Sequence, residues 1–391
     1  MKQSSPLRSS DVRAHNQKMI LSRIYDARKT GISQSEIVAD TGLKAPTAFR
    51  IFTSLEEQGL IEIVKGKRSP EAKQGGKGRR PVTYTVNKNA LYTIGLEFWA
   101  SSISFGIFNF NGDRIFSRIE PLPGNITIEK VIASIVLMVN EALKSQKINR
   151  KKIAGMGLAA PGQVDLVSRQ VINYPRIRGM MHIALADELE KQLKFPVTIH
   201  NNCSVIALSE YRYGGHDHQG SLFTFLLRFG VNGAFVDQRG IYTTGSGITL
   251  ETGHVPVDSR GPLCSCGLKG CLESQLWALD AGKKDKQGLL FDNLEARLVA
   301  EDDEAKQITA KAADSLFVVA KSIMRFFNPS AFLILGNGEM VSRCIAENLS
   351  NKLGKEPDTF VLKPPMVFGR AYDSFISQRG ASDLVLAQYF S

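Results

Sequence analysis

Residues 92–119, YTIGLEFWASSISFGIFNFNGDRIFSRI, read as three β-strands joined by short turns: Tyr92–Phe98, Ile103–Asn109 and Arg114–Ile119. Working outward, the apolar spacing predicts a helix over Ile128–Leu143 and then a strand entering Gly155-Met-Gly-Leu-Ala-Ala-Pro-Gly162. A second set of strands begins near Phe223 and again at Gly233–Val236, and long helices lead to a strand at Phe332-Leu-Ile-Leu-Gly336. Strands in runs, crossover helices, then strands again describe an α/β fold built from a duplicated unit, with a cleft between two lobes where a ligand would bind.

The chain is longer than this body needs. At 391 residues it should hold two or three packed units, and 43% hydrophobic with 22% charged residues is a soluble, globular balance. The opening MKQSSPLRSSD has no apolar stretch of a secretion signal, and the run Val131–Val139 is too short to span a bilayer, so a cytoplasmic chain without membrane insertion is expected. The net charge of +11 is localised. Residues 1–90 carry 17 Lys and Arg against 8 Asp and Glu, whereas residues 91–391 carry 32 against 30. A basic module on a nearly neutral body suits a nucleic-acid arm with a separate regulatory part, and its apolar periodicity argues against a mere solubilising tail.

Within the basic end, Ile20, Leu21, Ile24 and Tyr25 recur at helical spacing from Met19, with Gly31 as the expected C-cap. Ser33-Gln-Ser-Glu36 has the form of a capping box and should open a short helix to about Asp40. Thr41-Gly42-Leu43 makes a tight turn, and a third helix is expected over Ala45–Gln58 with Phe49, Phe52 and Leu55 facing inward. Helix, glycine turn, helix is the helix-turn-helix arrangement, although trihelical modules also serve as protein adaptors. If it reads DNA, the third helix enters the major groove, and Lys44, Thr47, Ala48 and Arg50 are its candidate contacts. Arg50 would either pair with a guanine or hold a phosphate. The strand Gly59–Val64 and a second strand near Val82–Val86 flank a segment, Lys65–Arg80, with seven Lys and Arg and one acid. That is a β-hairpin wing, in which Lys77, Arg79 and Arg80 would neutralise phosphates or enter a minor groove, unless the segment is simply a solvated loop.

In the body, Cys264, Cys266 and Cys271 follow a C-x-C-x4-C spacing with His254 ten residues upstream. Three thiolates and an imidazole complete a tetrahedral shell for structural Zn2+, and Gly267 and Gly270 let the loop wrap the ion. The remaining cysteines, Cys203 and Cys344, stand apart and are expected as ordinary buried thiols.

Five motifs then carry a resemblance: Gly157-Leu-Ala-Ala-Pro-Gly-Gln-Val-Asp165, His200-Asn-Asn-Cys-Ser204, Glu251-Thr-Gly-His254, Cys264–Glu273 and Leu335-Gly-Asn-Gly338. With these the chain resembles the ROK family of bacterial sugar kinases and sugar-responsive repressors, and Gly75-Gly76 with Arg79-Arg80-Pro81 is similar to the repressor branch. The resemblance implies a winged helix-turn-helix over residues 1–88. It further implies a two-lobed actin/hexokinase-like (ribonuclease H-like) body over residues 89–391, with lobes at about 89–202 plus the C-terminal helix and 203–372. It also implies that Asn201, Asn202, Glu251, His254 and Glu273 contact a sugar or sugar phosphate, with one His254 nitrogen on zinc and the other on a hydroxyl.

Departures from the kinases point away from catalysis. Family kinases place an Asp, the general base, where this chain has Asn202, and an amide cannot take a proton. Their Asp-Gly-Gly-Thr phosphate turn is replaced by Glu97-Phe-Trp-Ala-Ser101, where Phe98 and Trp99 are expected to crowd a phosphate. The expected protein is a non-enzymatic, sugar-responsive repressor that binds operator DNA as a homodimer or dimer of dimers. An ATP-dependent sugar kinase carrying a DNA-binding module, and a repressor relieved by a protein partner, are the alternatives.

Overall fold

In the computed structural model the chain is described over residues 9–64, 82–215, 220–280, 288–355 and 363–391. The basic N-terminal part consists of α1 (Ser9–Asp26), β1 (Ile32–Ser33), α2 (Gln34–Thr41), α3 (Ala45–Glu57), β2 (Ile61–Ile63) and β3 (Thr83–Val86). The capping box forms as its sequence demands. Ser33 Oγ accepts from the Glu36 amide at 3.3 Å, and the Glu36 carboxylate accepts from the Ser33 amide at 2.7 Å. Gly42 ends α2 at φ 67°, a left-handed conformation that side chains with a Cβ avoid. Ile20, Ile24, Ile37, Phe52 and Leu55 are fully buried where the helices meet the antiparallel sheet β1-β3-β2.

Three local expectations are corrected. The buried stripe of α3 runs through Ala48, Ile51, Phe52 and Leu55, the i, i+3, i+4, i+7 pattern of one helix face, so Ala48 has no surface to offer to DNA. Phe49, expected inside, lies on the opposite face and is 59% exposed. Gly31 does not cap α1, which starts well before Met19 and stops at Asp26; its amide instead closes the following turn by donating to the Ala27 carbonyl at 2.7 Å. The strands expected to flank a wing, β2 and β3, pair antiparallel, from Ile61 opposite Val86 to Ile63 opposite Tyr84. Lys77, Arg79 and Arg80 lie outside the described residues.

The first half of the body comprises β4 (Tyr92–Phe98), β5 (Ser102–Asn109), β6 (Arg114–Pro121), α4 (Ile128–Ser145), β7 (Ile153–Ala160), β8 (Gln163–Asp165), β9 (Gln170–Asn173), β10 (Met181–Ile183), α5 (Leu185–Leu193) and β11 (Val197–Asn201). Then α6 (Asn202–Tyr213) leads to the second half, β12 (Ser221–Leu227), β13 (Val231–Asp237), β14 (Gly240–Ile241), α7 (Leu272–Leu279), α8 (Leu294–Val299), α9 (Asp303–Phe327), β15 (Ala331–Gly336), α10 (Glu339–Lys355) and β16 (Met366–Ala371). α11 (Ser374–Phe390) ends the chain.

The duplication read from the strand pattern is present in the hydrogen bonding. One sheet runs β6-β5-β4-β7-β11 and the other β14-β13-β12-β15-β16; in each, a three-strand antiparallel meander continues into two parallel strands. Each half has its own apolar core, one around Leu96, Phe105, Ile135 and Leu158 and the other around Phe225, Leu276, Leu316 and Phe332. α11 returns across the first sheet, and glycines clear its path. A Cβ on Gly95 would stand 1.7 Å from the Gln378 carbonyl oxygen, and one on the neighbouring Gly157 would stand 1.7 Å from that of Ala381. Among the described residues, no helix is long and apolar enough to cross a membrane.

Candidate functional site

A cleft of about 760 Å³ opens between the halves, at the carboxyl ends of β7 and β11. That edge is where open α/β sheets bind their ligands. Asn201 and Asn202 stand there because β11 passes directly into α6. Their side chains behave differently. Asn201 is committed to the protein, its Nδ2 donating to the Gly162 carbonyl at 2.7 Å and its Oδ1 accepting from the Ser204 amide at 3.3 Å. Its expected place on a ligand is therefore corrected to that of a helix cap beside the cleft. Asn202 lines the cleft; its Oδ1 accepts from the Cys203 amide at 2.8 Å, whereas its buried Nδ2 has no partner among the described residues.

Across from Asn202, Glu251, His254 and Glu273 line the same cleft. Glu273 accepts from the Val231 amide at 2.9 Å, which fixes one oxygen on β13. The Glu251 carboxyl is pushed up to about 7, first by burial and then by the charge of Glu273, and its Oε1 has no partner among the described residues. A buried amide donor and a buried carboxylate acceptor, both unspent and facing one cavity, suit a ligand that donates and accepts at adjacent positions. Asn232, Arg176, Tyr174 and Trp99 also line the cleft and were not picked out by the sequence reading as ligand contacts. Asn232 follows from position alone, since it stands next to Val231, the residue that opens β13 at the cleft edge; nothing in the motif spacing marks Arg176.

Behind His254 lie the three cysteines. The donor atoms of His254, Cys264, Cys266 and Cys271 are all within 4.8 Å of one another, with His254 Nδ1 3.4 Å from Cys264 Sγ and Cys266 Sγ 3.6 Å from Cys271 Sγ. Tetrahedral zinc with sulfur ligands spaces its donors by about 3.8 Å, so the residues fit such an ion. Burial pushes the Cys271 thiol up to about 12, and three sulfurs this close are stable as thiolates only around a cation. Gly270 lets the loop close: at φ 67° it passes so near the chain that a Cβ would stand 1.5 Å from the Asp258 carbonyl oxygen. Of the other cysteines, Cys203 is buried as expected, while Cys344 is only partly covered.

On the far side of the cleft the chain fills its own gap. Phe98 does not take part; it is fully buried in the core of the first half, which corrects the expectation that it faces a phosphate. Trp99 does, packing on Phe229 of the second half with ring centroids 5.2 Å apart. The Arg228 guanidinium stacks 3.6 Å from the Tyr372 ring and lies 5.2 Å from that of Trp99, and its Nε donates to Asn337 Oδ1 at 3.0 Å. Tyr372 donates to the carboxylate of Glu97, whose proton affinity burial raises and Arg228 lowers. The turn at Leu335–Gly338 leads into α10, but the amides of Met340 and Val341 already donate to the Glu295 carboxylate, each at 3.1 Å. A helix N-terminus that could hold an anion is therefore occupied by a carboxylate of the chain itself.

On the basic end, Lys44, Thr47 and Arg50 are exposed together with Phe49, and Pro46 sets the first turn of α3. Phe49 joins the candidate contacts that sequence reading missed; the i, i+3, i+4, i+7 test applied to residue 48 instead of 49 would have found it.

The model of the ROK family matches residues 93–388. A putative xylose repressor of Caldicellulosiruptor sp. is 27% identical over 310 residues, covering 79% of this chain and 74% of that one. Among solved structures, a ROK family transcriptional regulator described as a homologue of the E. coli MLC protein superposes with a TM-score of 0.78 at 17% identity, covering 96% of this chain and 98% of the other. A ROK family glucokinase from Streptomyces griseus, solved with glucose and AMPPNP, gives a TM-score of 0.61 at 21% identity, covering 75% of this chain and 98% of that one.

Proposed function

The chain belongs to the ROK family, and on that premise we propose that it is a sugar-responsive transcriptional repressor with a catalytically silent kinase-like body. The observations that carry this reading are the chain's own contacts beside the cleft: Trp99 packs on Phe229, Arg228 stacks on Tyr372, and Glu295 takes the first amides of α10 that an anion would use. The cleft itself keeps unspent polar atoms on Asn202 and Glu251, so ligand recognition has an evident seat while phosphoryl transfer has none. The similarity to a putative xylose repressor supports the same direction.

In this reading residues 1–88 form a winged helix-turn-helix that binds double-stranded operator DNA, and residues 89–391 form the sensor. Asn202, Glu251, His254 and Glu273 contact the hydroxyls of a sugar or sugar phosphate. His254, Cys264, Cys266 and Cys271 hold structural zinc, which fixes His254 in one orientation. Two copies acting together would read paired half-sites.

Screening pentoses, hexoses, N-acetylhexosamines and their phosphates by thermal shift tests the sensor, because a ligand that binds only the folded state must raise its stability. The expected hit loses its shift in Glu251→Gln; a panel without any hit removes the sugar from the reading. For the DNA side, Arg50→Ala and Phe49→Ala are each expected to weaken operator binding by about 1–3 kcal/mol, roughly a factor of 5 to 150, as measured by fluorescence anisotropy. Phe49 is suited to a thymine methyl, so its loss should relax preference for A·T at one position, whereas unchanged affinity in both variants would place DNA on another surface.

Restoring the family's base does not restore chemistry if the gap is closed. Asn202→Asp is expected to show no ATP-dependent phosphorylation of any sugar that shifts the melting curve; phosphorylation by either form would establish a kinase instead.

A further inference from the structure

One helix joins the cleft to the basic module. Asn202 begins α6 inside the cleft, and every residue from Asn202 to Glu210 is buried, so the helix is gripped along most of its length. Its 12 residues reach about 18 Å from the cleft. α11 lies against it without slack: a Cβ on Gly380 would stand 2.5 Å from the Val205 carbonyl oxygen and 2.9 Å from Ser209 Cβ. Where α6 ends, Arg212 donates to Asp383 Oδ2 at 2.9 Å, Tyr213 donates to the same oxygen at 2.7 Å, and Arg379 stacks 3.4 Å from the Tyr213 ring. Asp383 is 4% exposed.

The module touches the body on the same helix, α11. Tyr25, in the last turn of α1, stacks on Phe110 at 5.7 Å and meets Phe390 of α11 at 5.4 Å. Arg28 covers its ring at 4.0 Å and donates to the Asn111 carbonyl at 2.9 Å. Burial pushes the Tyr25 hydroxyl up, and the charge of Asp383 adds to it. Farther back along α1 the contact opens. Gln17, Lys18 and Leu21 face Pro196, Thr198 and Tyr389 across a groove of about 480 Å³. The module thus shares an apolar core with the body around Tyr25, Phe110 and Leu386 and faces it across an open groove farther back.

We propose that α6 and α11, locked together by Asp383, form a stiff rod from the ligand cleft to the module, that Phe390 couples the rod to Tyr25 in the last turn of α1, and that the module swings into the groove about that pin. Arg212, Tyr213 and Asp383 are positioning residues in this device; none touches the ligand. The inference rests on the sugar-responsive DNA-binding reading, which it supplies with a route for regulation. Coupling between sites is reciprocal, so DNA held by the module must alter the cleft as much as ligand alters DNA binding.

Amide hydrogen exchange on the full chain tests the rod without any ligand, because it reports local opening segment by segment. Asp383→Asn is expected to speed exchange about tenfold or more in the last turns of both α6 and α1 while leaving α4 unchanged. Faster exchange confined to α11 overturns the proposal. In a second arm, a nonspecific duplex of about 30 bp at low salt is expected to slow exchange in the first turn of α6 in the wild type but not in Asp383→Asn, with duplex affinity kept within about threefold. Duplex binding that leaves the wild-type cleft unchanged also overturns it. Absence of duplex binding sinks the DNA-binding reading instead, and the first arm then decides the rod alone. If Asp383→Asn fails to fold by circular dichroism, Arg212→Met, altered at the partly exposed end of the pair, carries the same readouts.

Discussion

Purified Cys271→Ser protein is expected to retain less than about a tenth of the wild-type zinc and to melt on the order of 10 °C lower, with its sugar-dependent thermal shift abolished. Cys271 is fully buried and Cys264 nearly so, whereas Cys266 is exposed, so the ion would sit at the base of the loop with one sulfur toward solvent. The loop is held by backbone hydrogen bonds such as Cys264 to Leu268 and Gly270 to Pro262, each 2.8 Å, but it buries little apolar surface, with Leu263 and Leu268 65% and 53% exposed. Serine matches the thiol in shape but is a poor ligand for zinc, and an incomplete shell leaves two sulfurs and an imidazole without a cation. The ligand effect follows from placement: Ser265, Cys266 and Leu268 form a wall of the cleft, and His254 both faces the sulfurs and lines the cleft. Emission spectrometry for zinc, with scanning calorimetry in the presence and absence of the sugar, gives the readout. Normal zinc content in the variant would show that these four residues are not the metal centre.

Legibility in the sequence tracked how local the deciding physics is. The capping box at Ser33, the glycine turn at Gly42 and the strand limits Tyr92–Phe98 depend on a few neighbouring residues, and all stand where the spacing puts them. The clustering of His254, Cys264, Cys266 and Cys271 was equally plain, because sulfur and imidazole at those spacings have few other uses, and their donor atoms lie within 4.8 Å of one another. Facing was harder. Phe49 and Ala48 differ by one position on a helix wheel, and hydrophobicity favoured the wrong one; Phe98 and Trp99 are adjacent on the chain but end in different surroundings. Long-range partners were invisible. Glu295 belongs to none of the motifs, yet it holds the first amides of α10, 45 residues away in the chain. Asn201 and Asn202 look equivalent in sequence, and only the Gly162 carbonyl and Ser204 amide separate the cap from the cleft residue.

Gly157→Ala is expected to cost about 3 kcal/mol or more, the upper end of the range for overpacking, despite adding a single methyl group. The usual escape from overpacking is rotation of a neighbouring side chain, and here the obstacle is backbone: the new Cβ would stand 1.7 Å from the Ala381 carbonyl oxygen and 2.5 Å from its carbon. Gly95, paired with Gly157 across the sheet, meets the Gln378 carbonyl in the same way, so α11 rests directly on two strands of glycine backbone. To admit the methyl group, α11 must lift as a body. That would break the Thr93 to Ser382 hydrogen bond of 2.6 Å and the Gln378 to Ser104 bond of 2.8 Å. Both losses leave buried polar groups unpaired, which adds to the cost. Urea denaturation measures the loss. Because α11 also carries Asp383, a folded Gly157→Ala protein should bind sugar yet release DNA poorly. Full stability in the variant would mean that α11 does not lie on these glycines, and full stability in Gly95→Ala as well would remove the seat on which the coupling rod depends.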